Sequence, residues 1–298
     1  MQNTAEKFTV GFIGLGAMGY PIAGHLLHSD SPIQVWNRTS AVSARFQAEY
    51  ANQGELQVAS ALPELATACR VIFTCVSADQ DLFNIIDQLL PALVAGTVIC
   101  DHSTTAPDTA RQINKSLQAV QCHFVDAPVS GGVEGARRGT LVTMVGGEKA
   151  IIEQISPLLT CYTSKIARMG PVSTGQATKA VNQVMVAGIA EAVTEALALA
   201  EKMELPAGQL LEVLGGGAAG NWFMAHRGKT MLADEFEVGF KLSLLHKDLG
   251  ICEELARNLD LDLHLVRQAR EDYRRLMEAG EGDSDISALI HIKQGKID

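Results

Sequence analysis

The sequence predicts an α/β domain built on a mostly parallel sheet, followed by an all-α domain and joined to it by one long helix. Three observations carry this reading. Up to about residue 170, short apolar runs alternate with helical patterns. Beyond Gly170 the strand pattern stops. Across the change runs a proline-free stretch of 29 residues, 175–203. Strands alternating with helices give βαβ units, a parallel sheet and right-handed crossovers. The boundary is placed at 172/173, so that residues 1–172 form the first domain and 173–298 the second.

The elements follow in order. The apolar runs are "FTVGFIG", "IQVWN", "RVIFTCVS", "GTVICDHST", "CHFVDAPVS", "GTLVTMVGG" and "SKIARMG". They are rich in Val, Ile, Phe and Thr, and the earlier ones are nearly continuous, as strands buried on both faces are. Helical patterns between them include 20–27, 41–50, 81–93 and 107–119. The stretch 175–203, if helical, is about 43 Å long at 1.5 Å per residue. Further helical patterns cover 207–214, 223–232, 244–258 and 263–278, with stops at Gly215-Gly216-Gly217, at Asp260 and in "AGEGDSD".

Composition excludes several function classes. The chain has 298 residues, of which 47% are hydrophobic and 19% charged, enough for two ordinary cores. A net charge of -10 argues against nucleic acid or an anionic membrane as partner, since both select a basic face. A small anionic substrate remains compatible, because a pocket can be locally basic. The six cysteines form no C-x-x-C pair, and several sit in apolar runs, as reduced thiols in a cytosolic protein do. The eight histidines show no metal-ligand spacing, so no metal is expected. The first seven residues are polar, with no leader pattern, and no uncharged apolar run reaches 18 residues. The expectation is a cytoplasmic chain with no membrane span.

The chemistry begins at "GFIGLGAMGY". Gly14, Gly16 and Gly19 fit G-x-G-x-x-G between a strand pattern and a helical one, the context a Rossmann dinucleotide site requires. Gly14 permits the turn, Gly16 admits the diphosphate, and Gly19 lets helix pack on strand; Leu15, Ala17 and Met18 complete the cofactor turn. The second strand ends at Asn37, where an NAD site often places an acid on the ribose hydroxyls. Arg38 follows and can pair with a 2′-phosphate, while Asn37 and Thr39 can donate to it. NADP(H) is therefore favoured over NAD(H). An ordinary surface arginine, with either cofactor accepted, is the other reading.

Other constellations lie further on. In "DAPVSGG", Ser130, Gly131 and Gly132 offer a hydroxyl and unobstructed backbone N–H groups that can cup a carboxylate. In "GQATKAVNQ", Lys179, Asn182 and Gln183 are spaced i, i+3, i+4 and share a helix face, where an amine could exchange a proton with a substrate oxygen held by amides. A turn and a solvated stripe are the plain alternatives. "LLHKDLG" sets Lys247 beside Asp248, and "AAGNWF" sets Trp222 and Phe223 after a glycine-rich break. Ser103, Thr104 and Thr105 follow a strand end, where α/β sheets place ligand contacts.

Taken in order, "GFIGLGAMGYPIAGHL", "DAPVSGG", "GQATKAVNQ" and "FKLSLLHKDLGI" resemble the β-hydroxyacid dehydrogenase family, also called the 3-hydroxyisobutyrate dehydrogenase family, over nearly the whole chain. The resemblance implies a Rossmann domain, an all-helical substrate and oligomerisation domain, and an active site in the cleft between them. It implies hydride transfer between a nicotinamide and a small carboxylate-bearing β-hydroxyacid or its aldehyde, in a homodimer or homotetramer. By resemblance, Lys179 is the catalytic lysine and Ser130, Gly131 and Gly132 form the substrate-carboxylate loop. Lys247 and Asp248 are the Lys-Asp pair near nicotinamide and substrate, with Lys247 assigned to the cofactor and Asp248 to the substrate. Val76, Ser77 and Thr104 line the cofactor. Trp222, Phe223 and Phe240 are candidate pocket walls, with Trp222 on the substrate side and Phe240 on the cofactor side. The "NRT" at 37–39 is similar to the NADPH-using branch that reduces glyoxylate and succinic semialdehyde. Many members carry Asn four residues after the lysine; here that place is Gln183 and Asn182 stands at three, so either amide could hold the substrate. An imine reductase of the same fold and a non-catalytic dinucleotide-binding protein are the rival readings, and Lys179 counts against both.

Overall fold

A computed structural model describes residues 8–297; the polar stretch 1–7 lies outside the described residues. The first unit runs β1 (Thr9–Ile13), α1 (Gly19–Leu26), β2 (Ile33–Trp36), α2 (Ser40–Tyr50), β3 (Leu56–Val58), α3 (Leu62–Ala68), β4 (Cys69–Thr74) and α4 (Asp79–Leu89). It continues with β5 (Val98–Asp101), α5 (Pro107–Ala119), β6 (His123–Asp126), β7 (Val129–Ser130), α6 (Gly132–Arg138), β8 (Leu141–Gly146), α7 (Lys149–Leu159) and β9 (Thr163–Gly170).

The sheet order is β3-β2-β1-β4-β5-β6-β8-β7, with β9 beside β8. Strands β1 to β6 are mutually parallel, with Phe12 opposite Val35 on one side and Phe73 on the other. Strand β8 runs antiparallel to β6 and β7 and parallel to β9. The order reverses between β1 and β4, which opens a crevice at the carboxyl ends of those two strands.

Alternation along the strands builds two apolar layers. Phe12, Val35, Phe73 and Val125 join one core, while Ile13, Ile72, Ile99 and Phe124 join another. Neighbours such as Phe12 and Ile13 point to opposite faces, so both faces of the sheet are covered. This is why the strands read as continuous apolar runs. Strand β3 has no counterpart among the runs read from sequence, because it is three residues long and only half-buried. The pattern at 81–93 resolves into α4 and a 3-10 turn over Leu90–Ala92, where Pro91 cannot donate to the helix ladder.

The second unit is helical: α8 (Thr174–Lys202), α9 (Ala207–Gly215), α10 (Trp222–Leu232), α11 (Leu242–Asn258), α12 (His264–Glu278) and α13 (Ile290–Lys293), with a 3-10 turn over Ile286–Leu289. The division between compact units falls inside α8, after Lys179. Leu197, Phe223, Leu245, Leu249, Val266, Tyr273 and Leu289 form a separate core. Buried Asp285 ties its loops together, accepting from the N–H groups of Gly239 (2.8 Å), Phe240 (2.9 Å) and Ser287 (3.0 Å). Helix α8 is long and apolar enough to cross a membrane, but half of its most apolar window is buried in the protein. Its Glu191 pairs with the nearly buried Lys293 at 2.5 Å, as suits a core helix.

Candidate active site

The glycine turn sits at the end of β1. Gly14 has φ +95°, and a Cβ there would collide with the carbonyl oxygen of Cys75 after β4. A Cβ on Gly19 would collide with the Gly14 carbonyl, so the first turn of α1 packs directly on the turn before it. A Cβ on Gly16 would meet nothing within 4 Å, and Gly16 and Ala17 are exposed. No side chain caps the start of α1; its Tyr20 and Ile22 N–H groups donate to the Gly16 (2.9 Å) and Met18 (3.3 Å) carbonyls, and Pro21 has no N–H.

Two polar groups of this turn are already engaged. The Leu15 N–H donates to Asn37 Oδ1 at 2.9 Å, and Asn37 Nδ2 donates to the Thr39 carbonyl at 3.1 Å. The Leu15 side chain is buried in the core. The expectation that Asn37 donates to a phosphate is therefore narrowed: its carboxamide braces the turn and retains one N–H. Arg38 is 83% exposed and lies 3.1 Å from Asp81, while Thr39 is exposed beside it.

Across the crevice, two loops are knitted by a buried carboxylate. Asp101 Oδ1, at the end of β5, accepts from Thr74 Oγ1 (2.7 Å) and Ser103 Oγ (2.6 Å). Ser103 Oγ in turn accepts from the Val76 N–H at 2.9 Å. The strand-end residues Val76 and Thr104 are half-buried and Ser77 is exposed. Asp79 extends the brace, accepting from the Ala106 N–H at 2.8 Å and Thr109 Oγ1 at 2.6 Å.

The loop after β6 carries the second group of expected residues. Ser130 pairs with Val142 in the sheet, and Gly131 (φ +131°) and Gly132 (φ +63°) turn the chain into α6. Both angles lie where side chains are strained, which is the reason for two glycines. Lys179 is 8% exposed, and its Nζ donates to the Val129 carbonyl at 2.9 Å, one residue before Ser130. The start of α8 rests on Asp126, whose carboxylate accepts from the N–H groups of Ser173 (2.7 Å) and Gln176 (2.9 Å). Burial pushes the Asp126 carboxyl up to about 7, against the pull of those two bonds.

In the helical unit, Asn182 Nδ2 donates to Gln183 Oε1 at 2.8 Å, and Gln183 Nε2 donates to Asp248 Oδ2 at 2.7 Å. Lys247 lies 3.1 Å from the other oxygen of Asp248. Gln183 is thus engaged at both ends of its carboxamide and buried, while Asn182 is half-buried. Trp222 is 48% exposed and stacks on His226 at 4.1 Å, with Arg227 over its ring. Phe223 is buried in the helical core. Phe240 is half-buried just before α11 and is held through its N–H by Asp285. Sequence reasoning missed Asp126, Asp101 and Ser103 as braces; a buried acid at the end of an apolar run is the signal that could have flagged the first two.

A doubly wound sheet whose order reverses at a glycine turn, with open backbone at that turn, defines a dinucleotide-binding domain. Residues 9–170 match the NAD-binding domain of 6-phosphogluconate dehydrogenase, and residues 173–292 match the NAD-binding region of NADP-dependent 3-hydroxyisobutyrate dehydrogenase. The chain belongs to the β-hydroxyacid dehydrogenase family. It is 32% identical to 2-(hydroxymethyl)glutarate dehydrogenase of Eubacterium barkeri, over 96% of this chain and 95% of that one. It is 31% identical to 2-hydroxy-3-oxopropionate reductase of Escherichia coli, over 94% of this chain and 95% of the other. Its fold matches Mycobacterium tuberculosis 3-hydroxyisobutyrate dehydrogenase, solved with L-serine, at a TM-score of 0.85 and 29% identity, covering 96% and 99% of the two chains.

Proposed function

We propose that this chain reduces a small carboxylate-bearing semialdehyde to a β-hydroxyacid, reversibly and with NADP(H), and that Lys179 carries the proton. The single observation behind this is the bond from Lys179 Nζ to the Val129 carbonyl. It fixes a nearly buried amine one residue from the glycine loop that can hold a carboxylate. Relatives acting on 2-hydroxy-3-oxopropionate and 2-(hydroxymethyl)glutarate support the substrate class, since both carry a carboxylate near the reacting carbon.

The residues present fit a dinucleotide: the space over Gly16 is open, and Gly16 and Ala17 are exposed at the turn that leads into α1. Gly14 to Gly19 would hold the diphosphate, Arg38 and Thr39 the adenosine end, and Val76, Ser77 and Thr104 the remaining length. When bound, the dinucleotide supplies hydride to the carbonyl carbon or accepts it from the alcohol carbon. Ser130 Oγ and the N–H groups of Gly131 and Gly132 bind the substrate carboxylate. In reduction Lys179 gives a proton to the developing alkoxide; in oxidation the neutral amine takes it back. Asp248 holds Gln183, and Gln183 in turn accepts from Asn182, so the two amides form one bonded pair on α8.

A panel of small carboxylate-bearing aldehydes, each assayed with NADPH and with NADH, tests this reading. Turnover of at least one such aldehyde with a preference for NADPH is expected. Dinucleotide binding without turnover of any of them would overturn it.

A further inference from the structure

We propose that Gln176 is a positioning residue that locks the strap 103–105 to the first turn of α8, and so sets where Lys179 presents its amine. The proposal rests on the reading of Lys179 given above.

Gln176 is 1% exposed and joins two separate pieces of chain, the end of β6 and the strap 103–105. Its backbone N–H donates to Asp126 Oδ2 at 2.9 Å. Its side-chain Oε1 accepts from the Thr105 N–H at 3.2 Å, and its Nε2 donates to the Ser103 carbonyl at 2.7 Å. The carboxamide therefore spans the strap on both sides of Thr104, a residue expected to line the cofactor. Ser103 is held from behind by Asp101 and by the Val76 N–H, so strap, β4 loop and α8 form one hydrogen-bonded body.

The bolt sits close to the chemistry. Lys179 follows Gln176 by three residues, one turn along the same helix, and its amine is held by the Val129 carbonyl. The helix has no slack on its inner side: a Cβ on Gly175 would lie 2.5 Å from the Met144 carbonyl oxygen and 2.7 Å from that of Asp126. Only a side chain carrying both a donor and an acceptor at this length satisfies Ser103 and Thr105 together. Methionine has the size but neither group. Glutamate, when ionised, sets a second acceptor against the Ser103 carbonyl; when protonated it offers one O–H and one C=O and reproduces the glutamine pattern.

The test uses the full-length chain with Gln176→Met, Gln176→Glu and Lys179→Ala, assayed well below each melting temperature with the best aldehyde of the panel. Gln176→Met is expected to lower kcat by about tenfold or more, the scale of a small misplacement of a reacting group, with KM for the aldehyde within about twofold. NADPH affinity, measured by calorimetric titration, is expected to fall with it. For Gln176→Glu, activity relative to wild type is expected to recover as pH is lowered, which a merely structural role would not produce. Wild-type kcat and NADPH affinity in folded Gln176→Met would overturn the inference. If that variant does not fold, a ratio of Gln176→Glu to wild type that stays constant across pH overturns it instead. Should Lys179→Ala keep full turnover, the reading of the lysine fails and this inference with it. With Lys179→Ala inactive and Gln176→Met at wild-type level, only this inference fails.

Discussion

At the residue scale the polar side chains divide into those turned outward and those spent on the protein itself. Arg38 is of the first kind, facing solvent and sharing its charge with Asp81. That carboxylate would compete with a 2′-phosphate for the guanidinium. Asp81→Asn should lower KM for NADPH while leaving NADH nearly unchanged, and Arg38→Ala should raise KM for NADPH by about tenfold, the scale of one charge-assisted contact. Steady-state assays with both cofactors check this; equal effects on NADPH and NADH would contradict it. His102 is of the second kind: Nδ1 donates to the Ala127 carbonyl at 2.7 Å and Nε2 accepts from the Tyr162 hydroxyl at 2.8 Å. Burial holds its imidazole down at about 4, although the Ala127 bond pulls the other way. Because the folded value lies below the unfolded one near 6.5, its contribution is complete above pH 6.5 and is lost as pH falls toward 4. Asp126, raised to about 7, acts with the opposite sign over much of that range and masks the trend in the wild type. The stability gap between wild type and His102→Asn should therefore shrink by about 3 kcal/mol between pH 7 and pH 4. A gap that stays constant in denaturant titrations would contradict this. Motif residues such as Lys179 and Ser130 are legible in the sequence because an amine on an otherwise apolar helix and a hydroxyl just before two glycines stand out. The bonds of Asn37 to Leu15 and of Asp126 to Ser173 are not, since they join residues 22 and 47 apart and exist only once the sheet has formed.

At the scale of elements, the decisive one is the first turn of α8. It has Asp126 as its acceptor, the strap 103–105 on its flank and the sheet under Gly175. Gly175→Ala should cost about 1–3 kcal/mol of stability, as inserting a methyl into packed backbone does. It should also lower turnover, because the turn that carries Lys179 must shift. Unchanged stability by thermal unfolding would show that the turn can yield. The long helices were legible because apolar periodicity over three or more turns is a strong signal; α5 runs over Pro107–Ala119, the span its pattern marks. The shorter pieces were not. The loop reading of "DAPVSGG" concealed β7, only two residues long, and the start of α6 at Gly132. Two residues cannot display alternation, and a glycine-rich helix start reads as punctuation.

At the scale of the whole molecule, the chain alternates strand and helix as far as Gly170 and is helical from Thr174 onward. Both halves of that description were visible in the sequence, as was the nicotinamide chemistry, because a glycine turn between strand and helix has few other uses. Substrate identity was not, since it depends on which side chains face a molecule a few atoms across. The first unit has an apolar core on each face of its sheet and ends at Lys179, and the second has a core of its own. The measurement that bears most directly on the account is a single-turnover reduction with Lys179→Ala, loaded with NADPH and mixed with the aldehyde that the wild type reduces best. Loss of reduced nicotinamide absorbance should slow by about 10²-fold or more, the scale of general acid catalysis, while NADPH affinity stays near wild type. A rate within a few-fold of wild type at equal cofactor occupancy would contradict it.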